Sequence, residues 1–260
     1  AGSLATATGS LAGGWLAFGL QDAGLSTLAA YQGVLATYAV LGGVLVLLFL
    51  RLSARVELQQ LPDSPQRRLG LHRSRGVVAR LSALFAVDAF AGGFVIQSLL
   101  AYWFYLRFGI SEAVLGSVFF VANLLAGASA LLASRLAARF GLINTMVFTH
   151  LPSNILLCLV PFMPSLPSAL AVLLVRFTIS QMDVPTRQSY TMAVVDPDER
   201  SAASGVTTIA RSLGAALSPA LSGGLLALSM HAPFLLAGGL KIIYDLALYR
   251  SFKALKPEEE

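Results

Sequence analysis

Eight runs of predominantly apolar residues, each near the length that crosses a bilayer, limit this chain more than any other feature. They fall at roughly 3–20, 29–50, 80–106, 112–134, 143–163, 168–194, 203–229 and 232–250. About 20 such residues carry an α-helix across the hydrocarbon core. In lipid every backbone N–H and C=O must be bonded internally, which leaves helices or closed barrels. Runs this long lack the roughly ten-residue alternation of a barrel strand. The expected fold class is therefore all-α, a polytopic membrane helical bundle of about eight transmembrane helices. Composition agrees. Of 260 residues 56% are hydrophobic and 12% charged, with a mean hydropathy of +0.74; soluble domains average about 45–50% apolar and about 25% charged.

The connections are short except one. Residues 51–79 carry Arg51, Arg55, Arg67, Arg68, Arg73 and Arg75 among Gln, Pro and Ser, without apolar periodicity, and read as a linker between two helices and six. Lys and Arg accumulate on the cytoplasmic side of membrane proteins. Placing 51–79 there also places Arg135, Arg139, Arg200, Arg250, Lys253 and Lys256 there, while the opposite turns hold only Arg107. The expected organisation is two helices of a first half-bundle (1–50), a cytoplasmic central loop (51–79), a six-helix half-bundle (80–250) and a cytoplasmic tail (251–260). A bacterial-type inner or plasma membrane is the expected location. The net charge of +5 is spread between apolar runs rather than gathered in a patch, which argues against a nucleic-acid partner. Cys158 stands alone, and His72, His150 and His231 lack metal-ligand spacing, so neither a metal nor any other cofactor is expected. The opening Ala1-Gly2-Ser3, without an initiator Met, reads as the start of a fragment.

One stretch breaks the apolar pattern from inside. Arg176, Asp183 and Arg187 sit within an apolar run, a charged turn follows, and the next run carries Arg211. Ionisable groups at membrane depth are costly and default to a functional site. Steps of 4, 3 and 4 separate Arg176, Ser180, Asp183 and Arg187, so a continuous helix lines all four along one face. Asp88 is a further carboxylate in the third span, and Gln97 and Asn123 are deep polar candidates in the third and fourth. Small-residue patches at Gly9-Ser10-Leu-Ala-Gly13-Gly14 and Ser218-Pro219-Ala-Leu-Ser222-Gly223-Gly224 suit close helix approach.

Three turns and patches resemble the major facilitator superfamily of secondary transporters. Asp196-Pro197-Asp198-Glu199-Arg200-Ser-Ala-Ala203-Ser-Gly205 is similar to the acidic-Pro-x-Glu-Arg-x-x-Ala-x-Gly turn after the family's fourth and tenth helices. Ser134-Arg-Leu-Ala-Ala138-Arg139-Phe-Gly141 resembles its Gly-x-x-x-Asp-Arg-x-Gly turn, with Ser134 for the first Gly and Ala138 for the Asp. Gly9-Ser10-x-x-Gly13-Gly14 is similar to the Gly-Pro-x-x-Gly-Gly of drug antiporters, with Ser10 for Pro. On that plan the eight spans correspond to helices five to twelve of an N-terminally truncated member.

The resemblance implies a central pathway lined by spans one, three, four, six and seven, with spans two, five and eight peripheral. It then implies a network of Asp88, Asp183, Arg187 and Arg211 in one layer of the cytoplasmic half, with pairing that changes as two halves rock. Arg176, nearer the outer side, would meet an anionic part of the substrate or a carboxylate of the missing half. Gln97 and Asn123 would line the pathway, and Arg139, Gly141, Asp196, Glu199 and Arg200 would belong to gating turns. Lys241 and Asp245 would form a structural i, i+4 pair, and His150 and Asn154 would be peripheral. The implied function is secondary active transport of a small solute by alternating access, coupled to a proton, with efflux preferred to uptake. No motif of a membrane enzyme is present. The alternative is a non-transporting membrane scaffold or sensor, or an inactive transporter fragment. The missing N-terminal helices or a second copy would be needed to complete a pathway through the lipid bilayer.

Overall fold

A computed structural model describes residues 2–52 and 70–253. Arg55, Arg67, Arg68 and Lys256, named above as basic residues of the loop and tail, lie outside the described residues. The described residues form α1 (Gly2–Asp22), α2 (Thr27–Leu50), α3 (Arg75–Gly93), α4 (Gln97–Phe108) and α5 (Glu112–Phe140). They continue as α6 (Leu142–Leu159), α7 (Leu166–Phe177), α8 (Asp183–Ala193), α9 (Arg200–Leu228) and α10 (Ala232–Phe252). Short 3-10 turns at Val160–Phe162 and Pro197–Glu199 follow α6 and precede α9.

Every expected span meets a helix or a pair of helices. Five of these are long and apolar enough to cross a membrane by length and composition, namely Thr27–Leu50, Arg75–Phe108, Glu112–Phe140, Leu142–Phe162 and Ala232–Phe252. That is fewer than the eight expected, for a physical reason. α1 and α9 are diluted by Gly, Ser and Thr, and α8 carries Asp183 and Arg187. The remaining apolar piece of that span, α7, is only 12 residues long.

Two spans are broken, and the sixth corrects the sequence reading. Its helix stops at Phe177 and resumes at Asp183, so Arg176, Ser180, Asp183 and Arg187 do not share one continuous helical face. Hydroxyl side chains compete with the helical ladder. Here Thr178 Oγ1 donates to the Val175 carbonyl at 2.7 Å, just where α7 ends. The third span breaks at Phe94–Ile96, directly after Gly92-Gly93, where two residues of low helix propensity adjoin. α3 also begins at Arg75, so the end of the expected 51–79 linker is helical.

Lipid tails are as apolar as Leu, so helices in a membrane associate by close packing of small residues. α3 lies against α9 and α1 against α5 in this way. A Cβ on Gly214 would run into the Ala86 carbonyl oxygen, and one on Gly116 would lie 2.7 Å from the Ser10 carbonyl oxygen. Pro219 cannot donate to the carbonyl of Ala215, four residues back, and that carbonyl lies against Gly93. The two glycine-rich patches are only partly used. Gly14 and Ser218 sit in these contacts, whereas Gly9, Gly13, Gly223 and Gly224 face open space among the described residues. Between α5 and α6, Gly141 adopts φ 85° and ψ 158°, a region essentially confined to glycine.

The core has two main apolar clusters with a polar layer between them. One gathers Phe94, Trp103, Phe104, Leu157, Leu173 and Phe234; the other gathers Leu81, Phe85, Met146, Tyr190, Tyr244 and Leu248. Asp88 of α3, His150 and Asn154 of α6 and Lys241 of α10 fall in sequence between their helices' contributions to the two clusters. Gly214→Val should wedge α9 from α3 and destabilise by about 1–3 kcal/mol, the usual cost of overpacking. Gly205→Ala, where a Cβ meets nothing within 4 Å, should not. Thermal unfolding of both variants in detergent checks this, and equal melting temperatures would refute the contact.

Candidate functional site

The polar layer is organised by one carboxylate. Asp88, 3% exposed in the middle of α3, faces cations from three other helices. Its Oδ2 accepts from Arg187 Nη1 of α8 and from Arg211 Nη1 of α9, each at 3.2 Å. Its Oδ1 accepts from Lys241 Nζ of α10 at 2.5 Å. Arg187 Nη1 also donates to Asp183 Oδ2 at 2.8 Å, and its guanidinium lies 5.5 Å from the centre of the Phe85 ring. A buried charge must be paired and hydrogen-bonded to be tolerated, and Asp88 meets that condition three times over.

The expected network of Asp88, Asp183, Arg187 and Arg211 is thus brought together, with Asp88 as its centre. Three expectations about its surroundings need correction. Lys241 and Asp245 do not pair with each other; Lys241 reaches across to Asp88. Asp245 instead faces α6, where its Oδ1 is 2.8 Å from His150 Nδ1 and its Oδ2 accepts from Asn154 Nδ2 at 2.9 Å. His150 and Asn154 are buried in the same layer, with His150 Nε2 at 3.9 Å from Asp88 Oδ1. The imidazole therefore stands between two carboxylates. Depth also differs. With α3 starting at Arg75 rather than near residue 80, Asp88 lies 13 residues in, or about 20 Å, deeper than a span from 80 would place it.

The i, i+4 spacings of His150 with Asn154 and of Lys241 with Asp245 were the signal for these residues. Each marks a polar stripe on an otherwise apolar helix. Consigning both helices to the periphery hid that the stripes turn inward.

The other expected residues are spread over distinct places. Gln97, at the start of α4, donates to Ser10 Oγ at 2.8 Å and accepts from Asn123 Nδ2 at 3.1 Å, which ties α1, α4 and α5 together. Arg176, in the last turn of α7, forms no ion pair among the described residues; its Nε is buried without a hydrogen-bond partner, and its guanidinium is 5.4 Å from the centre of the Phe177 ring. Arg139 is exposed and stacks near Phe140, at 5.3 Å from the ring centre. A cavity of about 470 Å³ opens beside the hub between α8 and α9.

The turn before α9 forms a second charged contact with α3. Glu199 is fully buried, and its carboxylate accepts from the backbone N–H of His72, of Arg73 at 2.8 Å and of Ser74 at 2.8 Å. These are donors just ahead of and at the N-cap of α3, which no helical carbonyl can satisfy, and the helix N-terminus favours an anion. His72 also contacts Asp198 and Glu199 through its ring, and the Asp196 N–H donates to Ser74 Oγ at 3.3 Å. Arg200 Nε donates back to the Met192 carbonyl at 2.8 Å and closes the turn on α8. Burial would push the Glu199 carboxyl up, but hydrogen bonds from Ser74, His72 and Arg73 outweigh it and hold the group down at about 2, against an ordinary 4.5.

A family model described as Major Facilitator Superfamily matches residues 82–260, more than half of the chain. An uncharacterized membrane protein of Saccharomyces cerevisiae is 27% identical over 175 residues, covering 66% of this chain and 39% of its own length. The chain thus spans about two fifths of the curated relative it matches. No solved structure matches it.

A carboxyl held low in the folded state stabilises above its unfolded value and loses that contribution as pH falls through its folded value. The Glu199 contact should therefore be fully present above about pH 4.5 and disappear between there and about pH 2. Glu199→Gln should lower the melting temperature at neutral pH, and the gap from wild type should close over that window. A pH-independent gap would show that the carboxylate charge is not what holds the turn.

Proposed function

This chain belongs to the major facilitator superfamily, and we propose that it acts as a secondary active transporter of a small solute, working by alternating access with a proton as the coupling ion. It is an integral, multi-pass membrane protein. The observation that carries the proposal is Asp88, a buried carboxylate bound at once by Arg187 of α8, Arg211 of α9 and Lys241 of α10. An ionised Asp88 ties α3 to three neighbours. A protonated one is neutral, keeps at best a weaker hydrogen bond, and releases the cations to other partners. One proton thereby changes the contacts between four helices.

A route for that proton is at hand. His150 has Nε2 towards Asp88 and Nδ1 on Asp245, so it can take a proton on one nitrogen and present the other to a carboxylate. The two broken spans support the same layer as the working one. Discontinuous membrane helices in corresponding positions of a repeat are a pointer to solute and ion sites. Here the breaks at 94–96 and 178–182 leave Gln97 and Arg176 beside them.

On the charge bias of the loops, the loop 51–79 and the C-terminus face the cytoplasm. The Gly13-Gly14 resemblance to drug antiporters favours export as the direction. Gln97 and Asn123 border the pathway, and the turns with Arg139, Gly141 and 196–200 gate its cytoplasmic end.

The test is solute-dependent dissipation of a proton gradient in everted vesicles carrying the full-length protein. Asp88→Asn should lower the proton response by at least about tenfold, since it removes the one group common to three ion pairs. It also leaves three buried cations short of a partner, so expression and melting temperature are measured alongside. Asp183→Asn, which leaves Arg187 its bond to Asp88, should fold and reduce the response less. A wild-type response from well-folded Asp88→Asn would sink the coupling role.

A further inference from the structure

We infer that the cavity between α8 and α9 binds a small oxyanion, a carboxylate or phosphate group, through Arg187 and Arg211. The inference rests on the transport reading in taking that anion to be the transported solute. Its first support is the chemistry of the wall. The cavity, about 470 Å³, is lined by Arg187, Arg211, Gln188, Thr208 and Ser212 on its polar side, with Phe85 and Met192 on its apolar side. Among the described residues no Asp or Glu lines it. Two guanidinium groups on neighbouring helices, with hydroxyl and amide side chains on the same wall, suit an anion. The volume is in the range of ordinary small-molecule sites, about 300–1,000 Å³.

The second support is the use made of each arginine. A guanidinium carries five N–H donors in a planar fork, and its preferred partner is a bidentate oxyanion. The hydrogen bonds that Arg187 and Arg211 make to Asp88 and Asp183 all run through Nη1. Among the described residues neither arginine grips a carboxylate with two nitrogens. Arg211 is also the accessible member, with 35% of its side chain exposed against 7% for Arg187. A ligand oxyanion can therefore meet the outer edge of Arg211 without first breaking the hub.

The third support is the charge balance. Around the hub three cations, Arg187, Arg211 and Lys241, share two carboxylates, Asp88 and Asp183. An uncompensated cation at membrane depth is costly, and a bound anion relieves it. The same anion competes with Asp88 for Arg187 and Arg211. Protonation of Asp88 therefore favours anion binding, and anion binding favours protonation. Solute and proton would occupy the site together.

The experiment measures binding rather than flux, so it stands apart from the transport test. The full-length protein in phosphatidylcholine nanodiscs is melted with inorganic phosphate, gluconate or citrate, with chloride at matched ionic strength and with neutral mannitol. At least one oxyanion should raise the melting temperature in a saturable way, where chloride and mannitol do not. Arg211→Gln should weaken that apparent affinity by tenfold or more, Arg211→Lys should restore part of it, and Thr208→Val, which removes no charge, should weaken it less. Oxyanions that stabilise no better than chloride, or that stabilise Arg211→Gln as well as wild type, overturn the inference. So does stabilisation that appears only when phosphatidylglycerol is added, because the ligand is then a lipid headgroup. Anion binding without a proton response would leave this site standing and remove the transport reading. A proton response driven only by neutral solutes would do the reverse.

Discussion

A carboxylate in the middle of a hydrocarbon-length helix can exist as an ion only if the protein surrounds it with positive charge. That requirement at Asp88 shapes the whole C-terminal bundle. Arg187, Arg211 and Lys241 come from α8, α9 and α10, so satisfying one oxygen pair on α3 fixes the positions of three other helices. Each cation is in turn expensive to bury alone. The helices are thus interdependent in charge as well as in shape.

Apolar packing could not impose that arrangement by itself, because lipid offers a Leu side chain the same surroundings as another helix does. The contacts that bring backbones together are those of Gly93, Gly116 and Gly214, where a side chain would not fit. They permit approach without dictating register along the helix axis. The polar layer between the two aromatic clusters supplies register, since sliding α3 by one turn would carry Asp88 away from all three cations.

Much of this was legible in the residues. Apolar run length and the need to satisfy the backbone internally point to helices, and all eight runs are helical. Four of the charged residues stood out as anomalies in their apolar runs, and the family resemblance implied that they form one network. Two errors have clear physical sources. The one-face argument for Arg176 to Arg187 assumed an unbroken helix, whereas α7 ends at Phe177, beside Thr178, and α8 begins only at Asp183. Lys241 and Asp245 have the spacing of a local ion pair, yet each finds a partner on a different helix, Asp88 and His150. Spacing along a helix says which side chains share a face. It does not say whether that face looks at itself or at a neighbour, and here the buried partners lie on neighbouring helices.

The two charged contacts of α3 differ in kind, and the difference assigns them different parts in any rocking motion. Glu199 is held by backbone N–H groups at the start of α3, which can neither titrate nor swing away. Asp88, about 20 Å further along the helix, is held by long side chains that can re-aim within an ångström or two. Both contacts join α3 to the same α8–turn–α9 segment. With one end pinned by fixed dipoles and the middle held by adjustable cations, a change of charge would leave the Glu199 end in place and loosen the contact at Asp88, towards the far end of α3. That end of α3 is where the helix breaks at Phe94 and where Gln97 links α4 to α1 and α5. On the transport reading proposed above, a change of charge at Asp88 would act beside the joint between the two groups of helices, with the turn of Glu199 holding the other end of α3.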